Sequence, residues 1–121
     1  MHQFNSIQEI FDLAPDYFLP ENANSVQGTV QFEFTGETGG EWFLQVSGGQ
    51  LNVSPGKLPT HDLYATADAQ DILEIANGNL NPMVAYFKGK INVLGDTSKI
   101  FEFQKVFRLP EQLEWLKSIK E

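Results

Sequence analysis

Residues 67–96 read ADAQDILEIANGNLNPMVAYFKGKINVLGD, and this stretch decides the fold. Its apolar residues recur at helical spacing up to residue 76 and again over residues 82–87, after which they alternate with polar residues. The pattern predicts two short apolar helices that are followed at once by a β-strand. Helices of this kind would cover one side of a sheet.

Both predicted helices have capping residues at their ends. Asp68 can accept hydrogen bonds from the free amides of a first turn, and Gly78 can adopt the left-handed conformation that ends a helix. Asn81 followed by Pro82 supplies a capping residue and a proline at the first position of the second helix. Gly89 then ends that helix.

Strands precede these helices. Residues 26–34 alternate apolar and polar side chains, which indicates a sheet with one buried and one wet face. Residues 42–46 and 51–53 continue the pattern on either side of a Ser-Gly-Gly-Gln turn and predict antiparallel hairpins. Residues 63–67 complete this first block of the sheet.

A helix is also predicted near the N-terminus. Ser6 and Glu9 form a capping-box pattern in front of an apolar face. This helix should end near Ala14, because Pro15 disfavours the helical conformation in the residue before it.

The order of these motifs resembles the sterol carrier protein 2 domain, in the compact single-domain form common in bacteria. The resemblance rests on Gly-Asn-Leu-Asn-Pro at residues 78–82 and Gly-Lys-Ile-Asn-Val-Leu-Gly-Asp at residues 89–96. It implies an α+β fold with one mostly antiparallel sheet of five strands, covered on one face by helices. In that fold, residues 90–94 return to the sheet beside an earlier strand.

The length of 121 residues favours a single domain. We expect it to comprise an N-terminal helical segment at residues 1–21, a sterol carrier-like core at residues 22–107 and an appended helix at residues 108–121.

The resemblance also implies a function, because the family holds lipids between its sheet and its helices. We expect non-catalytic binding, extending to transfer, of a fatty acyl chain, a phospholipid or a sterol-like molecule in a hydrophobic tunnel. Bulky aromatic residues in the last family-like helix favour a narrow or short cavity, and hence acyl chains or a small ring compound over an intact sterol. The residues assigned to ligand binding, each expected to be buried, are Phe32, Trp42, Ile72, Ile75, Met83, Phe87, Phe103 and Phe107.

The sequence offers little for catalysis. It contains no cysteine, which excludes disulfides, thiolate chemistry and cysteine zinc clusters. His61 and Asp62 are neighbours with general-base character, but adjacent side chains there point to opposite faces and no nucleophile accompanies them. Residues 36–40 are rich in glycine but lack the lysine of a phosphate-binding loop. We expect no enzyme activity, no metal and no cofactor.

The net charge of −8 is distributed unevenly. Residues 1–87 hold eleven acidic residues and one basic residue, whereas residues 88–121 hold five acidic and seven basic residues. The acidic bulk argues against nucleic acid as a partner, because nucleic-acid binding needs a basic footprint. The later basic residues either bind an anionic head group or are ordinary solvated charges. They include Lys88, Lys90, Lys99, Lys105 and Arg108.

Two other functions fit the same fold. A structural or interaction module would have a filled core and act through a C-terminal helix at residues 110–121. An enzyme-accessory module would supply a hydrophobic wall to a partner's active site. Residues 110–121 predict an amphipathic helix with Trp115 on its flank, which packs on the core, covers the pocket mouth or forms a homodimer contact.

No apolar run approaches the ~18 residues needed to cross a bilayer. We therefore expect a cytoplasmic protein with at most transient membrane contact.

Overall fold

The computed structural model describes residues 3–108. This part of the chain contains five strands and four α-helices, with a single 3-10 turn at Pro20–Asn22. The strands are β1 (Gly28–Thr35), β2 (Gly40–Ser47), β3 (Gln50–Pro55), β4 (Leu63–Asp68) and β5 (Ile91–Gly95). The helices are α1 (Ile7–Tyr17), α2 (Ala69–Ala76), α3 (Pro82–Phe87) and α4 (Ser98–Lys105). None of these helices is long and apolar enough to cross a membrane.

The strands form one sheet in the order β3-β2-β1-β4-β5. The central strands β1 and β4 pair in parallel, and the three other pairs are antiparallel. The predicted α+β fold with a mostly antiparallel sheet of five strands is therefore confirmed. The return of the strand after α3 to the sheet is confirmed too, since β5 pairs with β4.

The chain must cross the sheet between β3, at one edge, and β4, which lies beyond β1. Gln31 holds the start of the crossing segment in place, and this residue is only 3% exposed. Its Nε2 donates to the carbonyl oxygens of Gly56 (2.9 Å) and Trp42 (3.1 Å), and its Oε1 accepts from the backbone N–H of Leu58 (2.7 Å). Gln31 and Val30 are consecutive residues of β1, so their side chains point to opposite faces of the sheet. Val30 faces the cavity described below, and the Gln31 network therefore lies on the other face.

The predicted capping residues act as expected. Side-chain oxygens of Ser6, Asp68 and Asn81 accept first-turn backbone N–H groups at 3.1, 2.9 and 2.8 Å. Gly78 and Gly89 end α2 and α3 with φ values of 81° and 78°. Such conformations are costly for residues with a Cβ, so the glycines set the lengths of these two helices.

Helix α1 runs three residues further than the sequence predicts, so the prediction that it ends near Ala14 is wrong. Pro15 lies in the last turn, where its missing N–H removes one intrahelical hydrogen bond. The N–H of Phe18 closes the turn on the Pro15 carbonyl at 3.3 Å, and the N–H of Arg108 donates to the Tyr17 carbonyl at 2.8 Å. These contacts, together with the packing of α1, outweigh the local preference of the residue before proline.

The apolar side chains form two clusters that meet at Phe32. One cluster joins α1 and α2 to the sheet and includes the buried residues Phe11 and Phe34. The other joins α4 to the sheet and includes the buried residues Phe103 and Val106. The same sheet face is therefore covered by helices at both positions.

Candidate functional site

A cavity of about 640 Å³ lies between the sheet and α4. Its floor is formed by sheet residues on the helix-covered face. These are Val30, Phe32, Leu44, Leu63, Ala65 and Val93. Its other walls come from α4, from the residue before the 3-10 turn and from the segment after α4. These are Leu19, Ile100, Phe103, Gln104, Lys105, Phe107 and Arg108.

The strand register explains the floor. Phe32 on β1 stands opposite Ala65 on β4, and Ala65 in turn stands opposite Val93 on β5. The methyl group of Ala65 is therefore flanked by two larger side chains, Phe32 and Val93. This small residue helps to leave space beneath α4.

A set of backbone hydrogen bonds holds the wall after α4. The N–H of Leu19 donates to the Val106 carbonyl at 2.6 Å, and Phe18 and Phe107 form an antiparallel bridge. Their rings pack edge to face with centroids 5.8 Å apart. This strap joins the end of α4 to the residues after α1, and Phe107 is thereby fixed against the cavity.

The cavity also has a cationic group. Lys105 and Arg108 both line it, both are exposed, and no described lining residue is acidic. The Arg108 guanidinium lies 4.2 Å from the centroid of the Tyr17 ring and donates to the Asp16 carbonyl at 3.2 Å. These contacts orient the cation without neutralising it, so an anion at the cavity would meet an ordered positive charge.

Three of the eight predicted ligand-binding residues line this cavity, namely Phe32, Phe103 and Phe107. Trp42 and Ile72 lie in the neighbouring cluster, where the Trp42 ring stacks on Phe11 at 4.9 Å. Ile75 is half-buried on α2. The structure thus brings Phe32, Phe103 and Phe107 together around one cavity. The predicted residues on α2, Ile72 and Ile75, are not part of its lining.

Met83 and Phe87 are exposed, although the sequence predicts that they are buried. They are 47% and 78% exposed, and in α3 the buried residue is Ala85. Helix α3 has only six residues and contacts β5 at the edge of the sheet, so one small residue suffices to seat it. Of the other six residues expected to be buried, Phe103 is buried and five are partly buried. The prediction of burial is therefore wrong for Met83 and Phe87, while their contact with a ligand stays a prediction.

The sequence interpretation missed most of the floor. Val30, Leu63, Ala65 and Val93 each show the alternation of a strand, but alternation does not reveal which strands are neighbours. The signal for the cations was present, because Lys105 and Arg108 belong to the basic group of residues 88–121. Lys88 of the same group lies outside the cavity lining.

The polar residues that the sequence offered for catalysis, His61 and Asp62, have structural partners. Asp62 accepts from the N–H of Thr29 at 2.9 Å, while the ring of its neighbour His61 stacks on Tyr64. The Tyr64 hydroxyl donates to Glu33, and this hydrogen bond raises the pKa of Tyr64. No group of three or more potential metal-binding His, Asp or Glu side chains occurs within residues 3–108.

The family model of the SCP-2 sterol transfer family matches residues 7–108. The chain belongs to this family. The match covers α1 as well as the sheet and the remaining helices, so it begins before the residue 22 at which the resemblance in the sequence begins.

Relatives of this SCP-2 family member include both longer proteins and single domains. Hydroxysteroid dehydrogenase-like protein 2 of Xenopus tropicalis is 29% identical over 101 residues, which are 83% of this chain and 24% of that protein. The chain thus spans about a fifth to a quarter of the length of the curated relatives it matches.

Solved structures share the fold. Sterol carrier protein 2-like 2 from Aedes aegypti aligns with a TM-score of 0.66 and 22% identity, over 84% of this chain and 92% of that chain. The sec-alkylsulfatase Pisa1 from Pseudomonas sp. aligns with a TM-score of 0.68 and 20% identity, over 84% of this chain and 16% of that chain.

Proposed function

We propose that this SCP-2 domain binds a lipid-like apolar molecule reversibly and without catalysis in the cavity between the sheet and α4. The cavity itself carries this proposal, since about 640 Å³ of space lies against apolar side chains in a family described by sterol transfer. Binding pockets for small molecules typically enclose ~300–1,000 Å³. Each buried CH₂ group would contribute about 0.8 kcal/mol to binding.

The cations at the cavity favour an amphipathic ligand with an anionic head. An acyl chain would occupy the apolar floor, and its carboxylate would pair with Lys105 or Arg108. The two cations stand in a chain whose net charge is −8, and no described residue of the lining opposes them with a negative charge. Sterol carrier protein 2-like 2 from Aedes aegypti has been solved in a palmitated form, which is consistent with an acyl ligand here.

Filling the cavity tests the proposal directly. Ala65→Phe would place an aromatic ring above the floor, and we expect the affinity for a fluorescent fatty acid to fall at least about tenfold, as several CH₂ groups lose their site. The matched control is Thr66→Phe on the same strand, because residue 66 points to the opposite face. Circular dichroism and thermal unfolding would verify that both variants are folded.

Unchanged affinity of a folded Ala65→Phe variant would contradict binding in this cavity. Failure of the unmodified protein to bind any acyl or sterol probe would contradict lipid binding altogether.

A second candidate function is that of an accessory module in a larger protein. It is favoured by the small share of its relatives that the chain covers, 24% of the Xenopus tropicalis protein and 16% of Pisa1. Such a module would supply an apolar wall to an active site elsewhere in the larger protein. Native mass spectrometry of protein purified from cells separates the two functions, because a co-purified lipid supports binding and its consistent absence supports the accessory role.

A further inference from the structure

Helix α3 presents an apolar surface that the core does not use. Its sequence Pro-Met-Val-Ala-Tyr-Phe contains no charged residue. Met83, Tyr86 and Phe87 are 47%, 55% and 78% exposed. The rings of Tyr86 and Phe87 lie edge to face with centroids 5.9 Å apart. These three residues together with Lys88 are called the α3 surface below.

The exposed side chains are not needed to hold α3 in place. Asn81 caps the start of α3, Ala85 is fully buried, and the N–H of Lys90 donates to the Ala85 carbonyl at 2.9 Å. The helix is therefore held by its cap, one small side chain and its backbone. Large apolar side chains left exposed together on such an element indicate a contact surface.

The charged residues in the segment of the chain that contains α3 are all basic. Residues 75–95 contain Lys88 and Lys90 and no acidic residue, although residues 1–87 carry eleven acidic residues against one basic residue. Lys90 lies 3.6 Å from the Asp71 carboxylate, with both side chains partly exposed. Lys88 is exposed and forms no ion pair with any residue in the range 3–108.

We propose that the α3 surface docks on a lipid bilayer that contains anionic lipids. Aromatic side chains favour the boundary between head groups and acyl chains. A lysine near an anionic bilayer adds attraction that salt weakens.

A protein partner fits this surface less well. Tyr86 and Lys88 are the side chains of the α3 surface that can form strong hydrogen bonds, and the backbone of the helix is already paired internally. The surface offers apolar contact and positive charge with little directional chemistry, and these are the properties that a bilayer recognises.

Docking through α3 would also set the orientation of the domain. Helix α3 contacts β5, and Val93 of β5 lies in the floor of the cavity. The sheet edge nearest to α3 would therefore face the bilayer. The inference concerns a surface separate from the cavity and holds whether or not the cavity binds a ligand.

Vesicle flotation of the full chain tests the proposal. We expect binding to vesicles of phosphatidylcholine with phosphatidylserine, and much weaker binding to phosphatidylcholine alone. Phe87→Ser should lower the partition coefficient about tenfold or more, and Lys88→Gln should lower it about fivefold. Controls are Phe101→Ser, since Phe101 is 68% exposed on α4, and Lys57→Gln, since Lys57 is an exposed lysine elsewhere.

A fluorescence measurement locates the contact. Phe87→Trp should shift its emission to shorter wavelength when anionic vesicles are added, relative to the unmodified protein. Phe101→Trp, at a residue that is 68% exposed on α4, provides the comparison.

Three results would overturn the proposal. The first is no binding to anionic vesicles, and the second is binding that falls equally in the control variants. The third is a Phe87→Trp emission that is already shifted without vesicles and does not change on their addition. That last result would show that another part of the chain or a second copy covers α3.

Discussion

Gln31 joins three segments of the chain through one buried amide group. Gln31→Leu would leave the backbone N–H of Leu58 and the carbonyl of Gly56 without their partner. Because an unsatisfied buried polar group costs about 1–3 kcal/mol, we expect the free energy of unfolding to fall by roughly 2 kcal/mol. Urea denaturation followed by circular dichroism measures this change.

Gln45→Leu is the control for Gln31→Leu. Gln45 accepts a side-chain hydrogen bond from Asn52 at 2.8 Å in an exposed position, so its replacement should change stability by less than about 0.5 kcal/mol. Equal losses in the two variants would show that the crossing segment does not depend on Gln31.

Residue patterns predicted only part of the candidate site. Phe103 and Phe107 line the cavity, whereas Met83 and Phe87 are exposed on α3. The reason is that helical spacing identifies side chains that share a face, but not whether that face meets the sheet. Ala65 could not be recognised at all, because its importance comes from the larger residues on the neighbouring strands.

The helix ends were the most predictable elements. Asp68, Asn81, Gly78 and Gly89 act within one turn of their own position, so their roles depend on few other residues. The end of α1 depends instead on contacts with residues near position 107, which local sequence does not reveal. The predicted helix at residues 110–121 lies outside the described residues and stays a prediction.

The turn after β5 depends on Gly95. Its φ is 110°, and a Cβ added there would lie 2.2 Å from the Asp62 carbonyl oxygen. Gly95→Ala should therefore cost more than the about 1–2 kcal/mol expected from backbone strain alone. Denaturation midpoints and hydrogen exchange of the β4 and β5 amides would measure the loss.

Gly89→Ala provides the comparison. Gly89 has a φ of 78° but no atom within 4 Å of the added Cβ, so this variant should show the strain without the clash. A Gly95→Ala variant that is no less stable than Gly89→Ala would rule out the close approach to Asp62.

At the scale of the molecule, the number of strands and their position relative to the helices were predictable, but the parallel pair was not. The hairpins follow from short turns between alternating segments. The β1–β4 pair requires residues 56–62 to cross the sheet. No turn signal in the sequence specifies which strand β4 pairs with after this crossing. The cavity floor is formed across this pair, so the sequence did not predict the floor either.

The charge at the cavity predicts a salt dependence. If Lys105 and Arg108 bind a carboxylate, the affinity for a fatty acid should fall several-fold as salt rises to physiological strength, where charges are screened over about 8 Å. The corresponding fatty alcohol should bind almost independently of salt. Isothermal titration with both ligands, repeated on Lys105→Gln and Arg108→Gln, measures the effect.

Lys57→Gln is the matched control, because Lys57 is an exposed lysine that pairs with Glu41 away from the cavity. A fatty acid affinity that does not respond to salt, or that responds equally in all three variants, would show that the cavity cations are ordinary surface charges.

The parallel β1–β4 pair also determines when the cavity exists during folding. Thr29 and Asp62, which are hydrogen-bonded at the start of this pair, lie 33 positions apart in the chain. Closing so long a segment costs entropy before any contact repays it, and pairing of this kind is typically slow. The floor is therefore incomplete until the chain has largely folded. A cargo molecule that recognises only the finished floor would slow unfolding of the domain and leave its refolding rate unchanged.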